Sequence, residues 1–351
     1  MKIAFYIPVL NVGGAEKVII NLLKQLSLNE GDEYFLITDE VHSSWIKEID
    51  SKVTILNVNS EKNIFLRLYN VAKAIRVNSI ELVVSHLTHS NIHCSLLNFF
   101  VLFKLIVVEH NITSTYINDI PKLKLVLKFL IRALFRKADQ IICVSQASKD
   151  DLVEFFSIPK NKCKVIYNPF DFKQIKELSI SAIPDELVKK INNRKFIVTV
   201  SRLEIQKNHI FLIDSLSDYL KSKDIVLVLV GGGSQNNSIE AKIAELDLKN
   251  NVFLTGNISN PYPYIVNANV LVHPARFEGF GLVLIEAIYL ETQVVSMNFE
   301  TAFEVLENGR LGSIVQDKLS LIEAIDIKLN SSNENLKMKF SNGVYENYNL
   351  E

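Results

Sequence analysis

The run Ile225–Val230 is apolar at every position, and short runs of that kind leave a chain few ways to fold. They recur from one end of the sequence to the other, and between them lie segments with apolar residues at helical spacing, such as Glu16 to Leu26 and Ile64 to Ile75. A strand that is apolar on both sides must be covered on both sides, which calls for parallel sheets flanked by helices. The pattern predicts strands at Lys2–Ile7, Tyr34–Ile37, Val53–Leu56, Leu82–Ser85, Leu105–Glu109, Gln140–Val144 and Cys163–Tyr167 in the first half. In the second half it predicts them at Phe196–Val200, Ile225–Val230, Val252–Leu254, Val270–Val272, Gln293–Ser296 and Ser313–Val315.

A chain of 351 residues can build two such sheets, each with its own core. The polar stretch Asn168–Asn193, with Pro169 and Pro184, reads as the joint. The expected architecture is α/β, with two doubly wound parallel-sheet (Rossmann-like) domains facing a central cleft. Residues 1–172 form the first, 173–193 a linker and 194–351 the second. Ligands of such sheets sit beyond the carboxyl ends of the strands, so the chemistry is expected in the strand-to-helix turns of both halves.

Composition narrows the partners. Lysine plus arginine (38) nearly balances aspartate plus glutamate (39), so no global field draws the protein to nucleic acid. Cys94, Cys143 and Cys163 are an odd, scattered set without a CxxC pair, which points to a reducing compartment rather than to a disulfide framework or a zinc site. The opening MKIAFYIPVLNVGG breaks at Pro8 and Asn11 and reads as a first strand, not a signal peptide. The longest apolar run, Leu96 to Val108, is too short to span a bilayer. A cytoplasmic protein is expected.

Four turns can carry chemistry. After the first strand comes Asn11-Val12-Gly13-Gly14-Ala15-Glu16, where glycine lets backbone amides approach a ligand, or else serves a tight turn. No GxGxxG fingerprint is present, which argues against an NAD enzyme. Arg202 leaves the end of a strand and Lys207 follows at the start of the next helix; two cations beside a helix N-terminus could hold a diphosphate without a metal. Gly231-Gly232-Gly233 suggests either a backbone that clears a bound group or a plain loop. The most informative segment runs His273-Pro274-Ala275-Arg276-Phe277-Glu278-Gly279-Phe280-Gly281-Leu282 and on to Glu286. Glu286 sits among apolar neighbours on a predicted helix, where a carboxylate needs donors such as the vicinal hydroxyls of a ribose or sugar. Internal pairing of both carboxylates is the alternative.

The sequence EGFGLVLIE resembles the E-x7-E motif of retaining GT-B glycosyltransferases of the large family 4, and other stretches fall in the family's order. These are the GGAE turn, Glu109-His110-Asn111, Ala138 to Ser145, Val165 to Asp171, Ser201-Arg202-Leu203 with Lys207-Asn208, and Phe253 to Gly256. The resemblance covers residues 1 to about 316. It implies that Glu286 holds the donor ribose, Glu278 the transferred sugar, and Arg202 and Lys207 the diphosphate. Gly13, Gly14, Gly279, Phe280, Gly281 and Leu282 would line the donor, and His110 would meet the sugar near the attacked carbon. No cofactor and no metal are implied beyond a nucleotide-diphosphate sugar, taken to be a UDP-sugar; no Asp-x-Asp motif occurs. His86, His89 and His93 read as structural or acceptor-side residues rather than metal ligands.

The resemblance implies transfer of a hexose or N-acetylhexosamine to a glycan or polyprenyl-diphosphate-linked acceptor in surface polysaccharide synthesis. From Ile117 to Gln140, six cations (Lys122, Lys124, Lys128, Arg132, Arg136, Lys137) interleave with apolar residues against Asp119 and Asp139. That pattern suits either an anionic membrane surface on the inner face of the cell membrane or a core-facing helix with a solvated basic side. Two departures stand out. The segment Ser296 to Leu306 keeps Glu304 but lacks the glycines of the family's phosphate loop. The final helix, which in the family crosses back to the first domain, is expected to be short or missing. The alternatives are a nucleotide-sugar epimerase of the same architecture and a sugar-nucleotide-binding module with impaired turnover.

Overall fold

The structure, a computed structural model, describes residues 1–10, 13–29, 31–41, 47–59, 63–118, 123–331 and 348. The expected final crossing helix, Asn11 and Val12 of the first turn, and residues 119–122 of the basic segment lie outside them. Two compact units divide the chain between Phe170 and Asp171.

The first unit carries strands β1 (Lys2–Tyr6), β2 (Val9–Leu10), β3 (Glu33–Thr38), β4 (Glu40–Val41), β5 (Val53–Asn57), β6 (Leu82–His86), β7 (Lys104–Glu109), β8 (Gln140–Cys143) and β9 (Cys163–Val165). Seven of them form one sheet in the order β5-β3-β1-β6-β7-β8-β9, and β2 pairs with β4 apart from it. Every pairing is parallel; Ala4 of β1, for instance, lies between Phe35 and Val83. The helices Ile64–Val77, Thr88–Leu97, Lys124–Phe135 and Gln146–Glu154 contribute Val71, Ile75, Cys94, Leu97, Ile131, Phe135 and Leu152 to the core on one face. The helix Gly14–Leu26 buries Ile19, Ile20 and Leu23 with Phe5 and Leu36 on the other.

The second unit holds β10 (Phe196–Val200), β11 (Val226–Val230), β12 (Val252–Leu254), β13 (Val270–His273), β14 (Gln293–Met297) and β15 (Ser313–Val315), a parallel sheet in the order β12-β11-β10-β13-β14-β15. Strand β11 is buried at all five positions, as its unbroken apolar sequence requires. The α/β architecture of two Rossmann-like sheets is therefore the one expected. Cys94, Cys143 and Cys163 are free and buried.

Two expectations change. The stretch 173–193, read as a linker, is largely helical: Phe172–Ser179 and Asp185–Ile191 belong to the second unit. The Phe172 ring packs 4.5 Å from that of Tyr289, and Asn260 Nδ2 donates to the Leu178 carbonyl at 2.8 Å. Polar surface residues hid these short helices, each of which buries only one pair of large apolar side chains, Phe172 with Ile175 and Leu187 with Ile191. In addition, β6 and β13 each run one residue beyond their apolar pattern. In both the extra residue is a histidine: His86 stays in register with Val108, and His273 with Ser296. A polar side chain reads as loop, yet the backbone ladder continues beneath it.

The triple glycine has an internal cause. Gly231 adopts φ +140°, and a Cβ there would stand 2.1 Å from the Ser201 carbonyl oxygen; one on Gly233 would stand 2.5 Å from that of Leu203. The Leu203 amide donates to Gly232 at 3.0 Å, and the Gln235 amide to Leu203 at 2.9 Å. Neither reading of this turn, a bound group to clear or a plain loop, covers what is seen: the glycines pack against the Ser201–Leu203 backbone. Gly309, at φ +95° with open space around it, offers a control. In urea denaturation Gly231→Ala should cost about 3 kcal/mol or more, and Gly309→Ala about 1 kcal/mol, since only the first adds a backbone clash to strain.

Candidate active site

In the second unit the chain leaves β10, passes the glycines and makes a short 3-10 turn at Ile205–Lys207. Asn208, in the left-handed region at φ 60°, then redirects it into the helix His209–Ser222. This turn presses the Lys207 side chain inward until the residue is only 9% exposed. A second loop leaves β13 at His273. The Arg276 amide donates to the Gln206 carbonyl at 2.9 Å and so stitches the two loops together. Thr301 Oγ1 donates to the Glu278 carbonyl at 3.2 Å and fixes the far side.

These constraints set Lys207 Nζ directly on Glu278 Oε1 as a hydrogen-bonded ion pair. His273 Nε2 donates to the same oxygen at 3.0 Å, and the Phe299 ring stands edge-on to His273 at 5.7 Å. The Glu278 side chain is 15% exposed. Burial alone would raise its carboxyl pKa, but the Lys207 ammonium and the His273 hydrogen bond outweigh it and hold the group at about 2. His209, bonded through Nε2 to Ser201 Oγ at 3.0 Å, is held down at about 3 by burial and by its neighbours His273 and Lys207, so it is neutral at pH 7.

Beyond Glu278, Gly279 and Phe280 are buried, with the Phe280 ring 5.7 Å from that of Tyr348. Gly281 at φ +85° caps the helix Leu282–Tyr289. Glu278 thus lies before the helix and Glu286 within it. Glu286 is 6% exposed and accepts from Tyr262 Oη at 3.3 Å, so part of the donor set it needs is internal. Arg202 is exposed and forms no ion pair with a described residue. Of the four residues expected to grip a nucleotide sugar, Lys207 and Glu278 are in direct contact. Glu286 is buried in the helix that follows their loop, and Arg202 stands on the exposed start of the other loop. In the segment Ser296 to Leu306, residues Glu300–Val305 form a helix that carries the Thr301 contact.

In the first unit His110 follows β7 and is 8% exposed. Its Nε2 lies 2.8 Å from His86 Nδ1. The ring of His86 is also stacked against Phe5. Burial lowers both histidines, His110 to about 4. Beside them Glu109 is fully buried and accepts from Thr88 Oγ1 at 2.8 Å, Asn91 Nδ2 at 2.7 Å and Thr113 Oγ1 at 3.0 Å. Its carboxyl is pushed up to about 7 by burial, against the pull of those three donors. Between His86 and Thr88, Leu87 is held at φ 73°, ψ 143°, a region hostile to a residue with a Cβ. The Glu109 clamp on Thr88 and Asn91 is what holds that strained turn. On the same helix His89 is exposed, while His93 is buried with Nδ1 3.5 Å from Tyr6 Oη. Among the described residues no group of three potential ligands could hold a metal.

Gly13 caps the helix Gly14–Leu26 in extended backbone, φ −170°. A Cβ there would approach Glu16 Oε2, the end of a flexible side chain that can move aside, so neither backbone nor packing requires glycine at this position. Sequence reading gave no role to His273 or Glu109, though both lie in segments it singled out, and missed the partnership of His86 with His110. The available signal was positional: histidines ending strands at a carboxyl edge, or following one, with the strand order needed to make them neighbours.

Two sequence profiles account for most of the chain, Glycosyltransferase Family 4 over residues 12–174 and Glycosyl transferases group 1 over residues 185–346. A Campylobacter jejuni enzyme, the N-acetylgalactosamine-N,N'-diacetylbacillosaminyl-diphospho-undecaprenol 4-alpha-N-acetylgalactosaminyltransferase, is 32% identical over 324 residues, spanning 90% of this chain and 86% of that one. The chain belongs to the GT-B glycosyltransferases. The O-antigen chain mannosyltransferase RfbU of Salmonella typhimurium is 25% identical over 304 residues, 83% of this chain and 80% of its own. In fold, the chain matches HepE from Anabaena in complex with UDP-glucose at a TM-score of 0.81 and 19% identity, covering 100% of this chain and 96% of that one. It matches WaaG, a glycosyltransferase of lipopolysaccharide biosynthesis, at 0.76 and 14%, over 98% and 94%. The relatives of this transferase thus serve O-antigen and lipid-linked glycan synthesis.

The Lys207–Glu278 pair makes a stability claim with a defined sign. The folded carboxyl titrates near 2 against 4.5 for a free one, so the pair stabilises fully above about pH 4.5 and the gain fades as pH falls towards 2. Lys207→Met should lower stability at pH 7 by about 3 kcal/mol, a gap that narrows in urea titrations at pH 3.

Proposed function

We propose that the protein is a retaining, metal-independent hexosyltransferase that moves a hexose or N-acetylhexosamine from a UDP-sugar to a glycan or polyprenyl-diphosphate-linked acceptor. The observation that carries this reading is the Lys207–Glu278 contact, with Arg202 on the adjoining loop and Glu286 in the next helix. An ammonium already seated against a carboxylate is pre-positioned for a diphosphate. The incoming phosphate oxygens compete for Lys207, and Glu278, held ionised, turns to accept hydroxyls of the transferred sugar. Arg202 adds the second cation, and Glu286 accepts the ribose hydroxyls. Gly279, Phe280, Gly281 and Leu282 bring the start of a helix to the same phosphates. In the first unit, His110 with Gly13 and Gly14 is the candidate substrate contact.

The chemistry follows from those roles. The glycosidic carbon–oxygen bond to the diphosphate lengthens as negative charge builds on the leaving phosphate, which Lys207 and Arg202 neutralise. The acceptor hydroxyl attacks from the face the phosphate is leaving, a donor phosphate oxygen takes its proton, and the configuration is retained. The relative from Campylobacter jejuni, whose substrate is linked to diphospho-undecaprenol, and the UDP-glucose complex of HepE support a lipid-linked acceptor and a UDP donor.

The basic segment fits a protein that works from the cytoplasm at the inner face of the membrane. In the helix Lys124–Phe135, Leu125 is 81% exposed and Phe129 70%, with Arg132, Arg136 and Lys137 exposed towards its end. Lys137 Nζ lies 5.9 Å from the ring of Phe99, which with Phe100 extends the apolar face. Cations beside exposed aromatic and aliphatic side chains suit anionic lipid headgroups over acyl chains.

Thermal shift against a panel of UDP- and GDP-sugars should identify the donor. With that donor, Glu286→Ala should raise KM roughly tenfold while Lys207→Ala cuts kcat by about a hundredfold or more, read as UDP release; wild-type kinetics in both variants would refute the site. In co-sedimentation the protein should bind phosphatidylglycerol vesicles in preference to phosphatidylcholine, and the Arg132→Glu, Arg136→Glu double variant should lose that preference.

A further inference from the structure

His86 and His110 form a hydrogen bond between two ring nitrogens, and only one of them can supply the proton. His110 Nε2 and His86 Nδ1 are 2.8 Å apart. Both residues are buried, at 1% and 8% exposure, and their rings are tilted by only 27°. No carboxylate among the described residues is bonded to either ring: the Glu109 oxygens are taken by Thr88, Asn91 and Thr113. The pair is therefore neutral, with one proton per ring, and two arrangements are open.

The other nitrogen of His86 decides between them. His86 Nε2 is enclosed and has no hydrogen-bond partner among the described residues. If His110 Nε2 were the donor, His86 would carry its own proton on Nε2, leaving a buried N–H unpaired. If His86 Nδ1 is the donor, Nε2 is only an unused lone pair. Buried N–H groups without an acceptor are rarer and costlier than acceptors left short of a donor. The Phe5 ring stacks on His86 with centroids 5.7 Å apart and covers one face of the imidazole.

We propose that His86 is a positioning residue that sets the tautomer of His110: His86 Nδ1–H donates to His110 Nε2, so His110 carries its proton on Nδ1 and offers substrate a hydrogen-bond donor, not a base. The role rests on the reading of His110 as a substrate contact. It implies that Nδ1–H meets an oxygen acceptor on the nucleotide sugar, a hydroxyl or phosphate oxygen. It also agrees with a reaction in which the acceptor's proton goes to the donor phosphate rather than to this ring.

Long-range 1H–15N correlation spectra of histidine-labelled protein at neutral pH test this directly. His110 should show a proton-bearing Nδ1 and a bare Nε2, with His86 the same. In His86→Phe, which keeps the ring stack but cannot donate, His110 should shift towards the Nε2–H form favoured by free imidazole. UDP release from UDP-N-acetylgalactosamine should then fall roughly tenfold or more. His86→Asn, whose amide nitrogen can stand near the place of Nδ1, should restore most of the activity, which a purely space-filling role would not produce. A proton on Nε2 of His110 in the wild type, or a His86→Phe variant with unchanged tautomer and rate, would overturn the proposal. Full activity in His110→Phe alongside the expected wild-type tautomer would instead remove His110 from the substrate site and leave the tautomer assignment standing.

Discussion

A lysine ammonium pressed into a largely buried position beside a carboxylate organises the second unit. Neither charge could be kept there alone, since removing an ion from water costs more than most single contacts return. Lys207 and Glu278 lie on separate loops, so their pairing fixes the loop after β10 relative to the loop after β13. The Arg276–Gln206 backbone bond, the His273 contact and the Thr301 contact all converge on the same junction. Under the proposed function, a diphosphate would compete for Lys207 with more negative charge than one carboxylate carries, and sugar hydroxyls would give Glu278 new donors.

The first unit follows a different logic. Its carboxyl edge carries two histidines lowered by burial and a carboxylate raised by it to about 7. Glu109 accepts from three side chains at the starts of two helices, Thr88–Leu97 and Thr113–Asn118. The strain at Leu87 is local and is held by that anchoring.

Much of the fold was legible because β-strands buried on both faces leave unbroken apolar runs, as in Val226–Val230. The helices at Phe172–Ser179 and Asp185–Ile191 were not, because short helices on a surface bury few residues and their polar faces look like loop. Within the site, the Glu278 to Glu286 spacing and the Arg202–Lys207 segment were visible as residue types at strand ends. What no linear pattern shows is which residues touch. The bond from His273 to Glu278 depends on the path of the loop after β13, and that from His86 to His110 on the pairing of β6 with β7, which brings together positions 24 residues apart. The glycines after β11 were visible too, but only the crossing backbone of Ser201–Leu203 explains them.

The most direct test of the ion pair's role is a crystal structure with the donor bound. The diphosphate should lie within hydrogen-bonding distance of Lys207 Nζ and the Arg202 guanidinium, with Glu278 turned to the sugar and Glu286 to the ribose. A nucleotide seated elsewhere, with Lys207 still bonded to Glu278, would show that the pair only supports the fold.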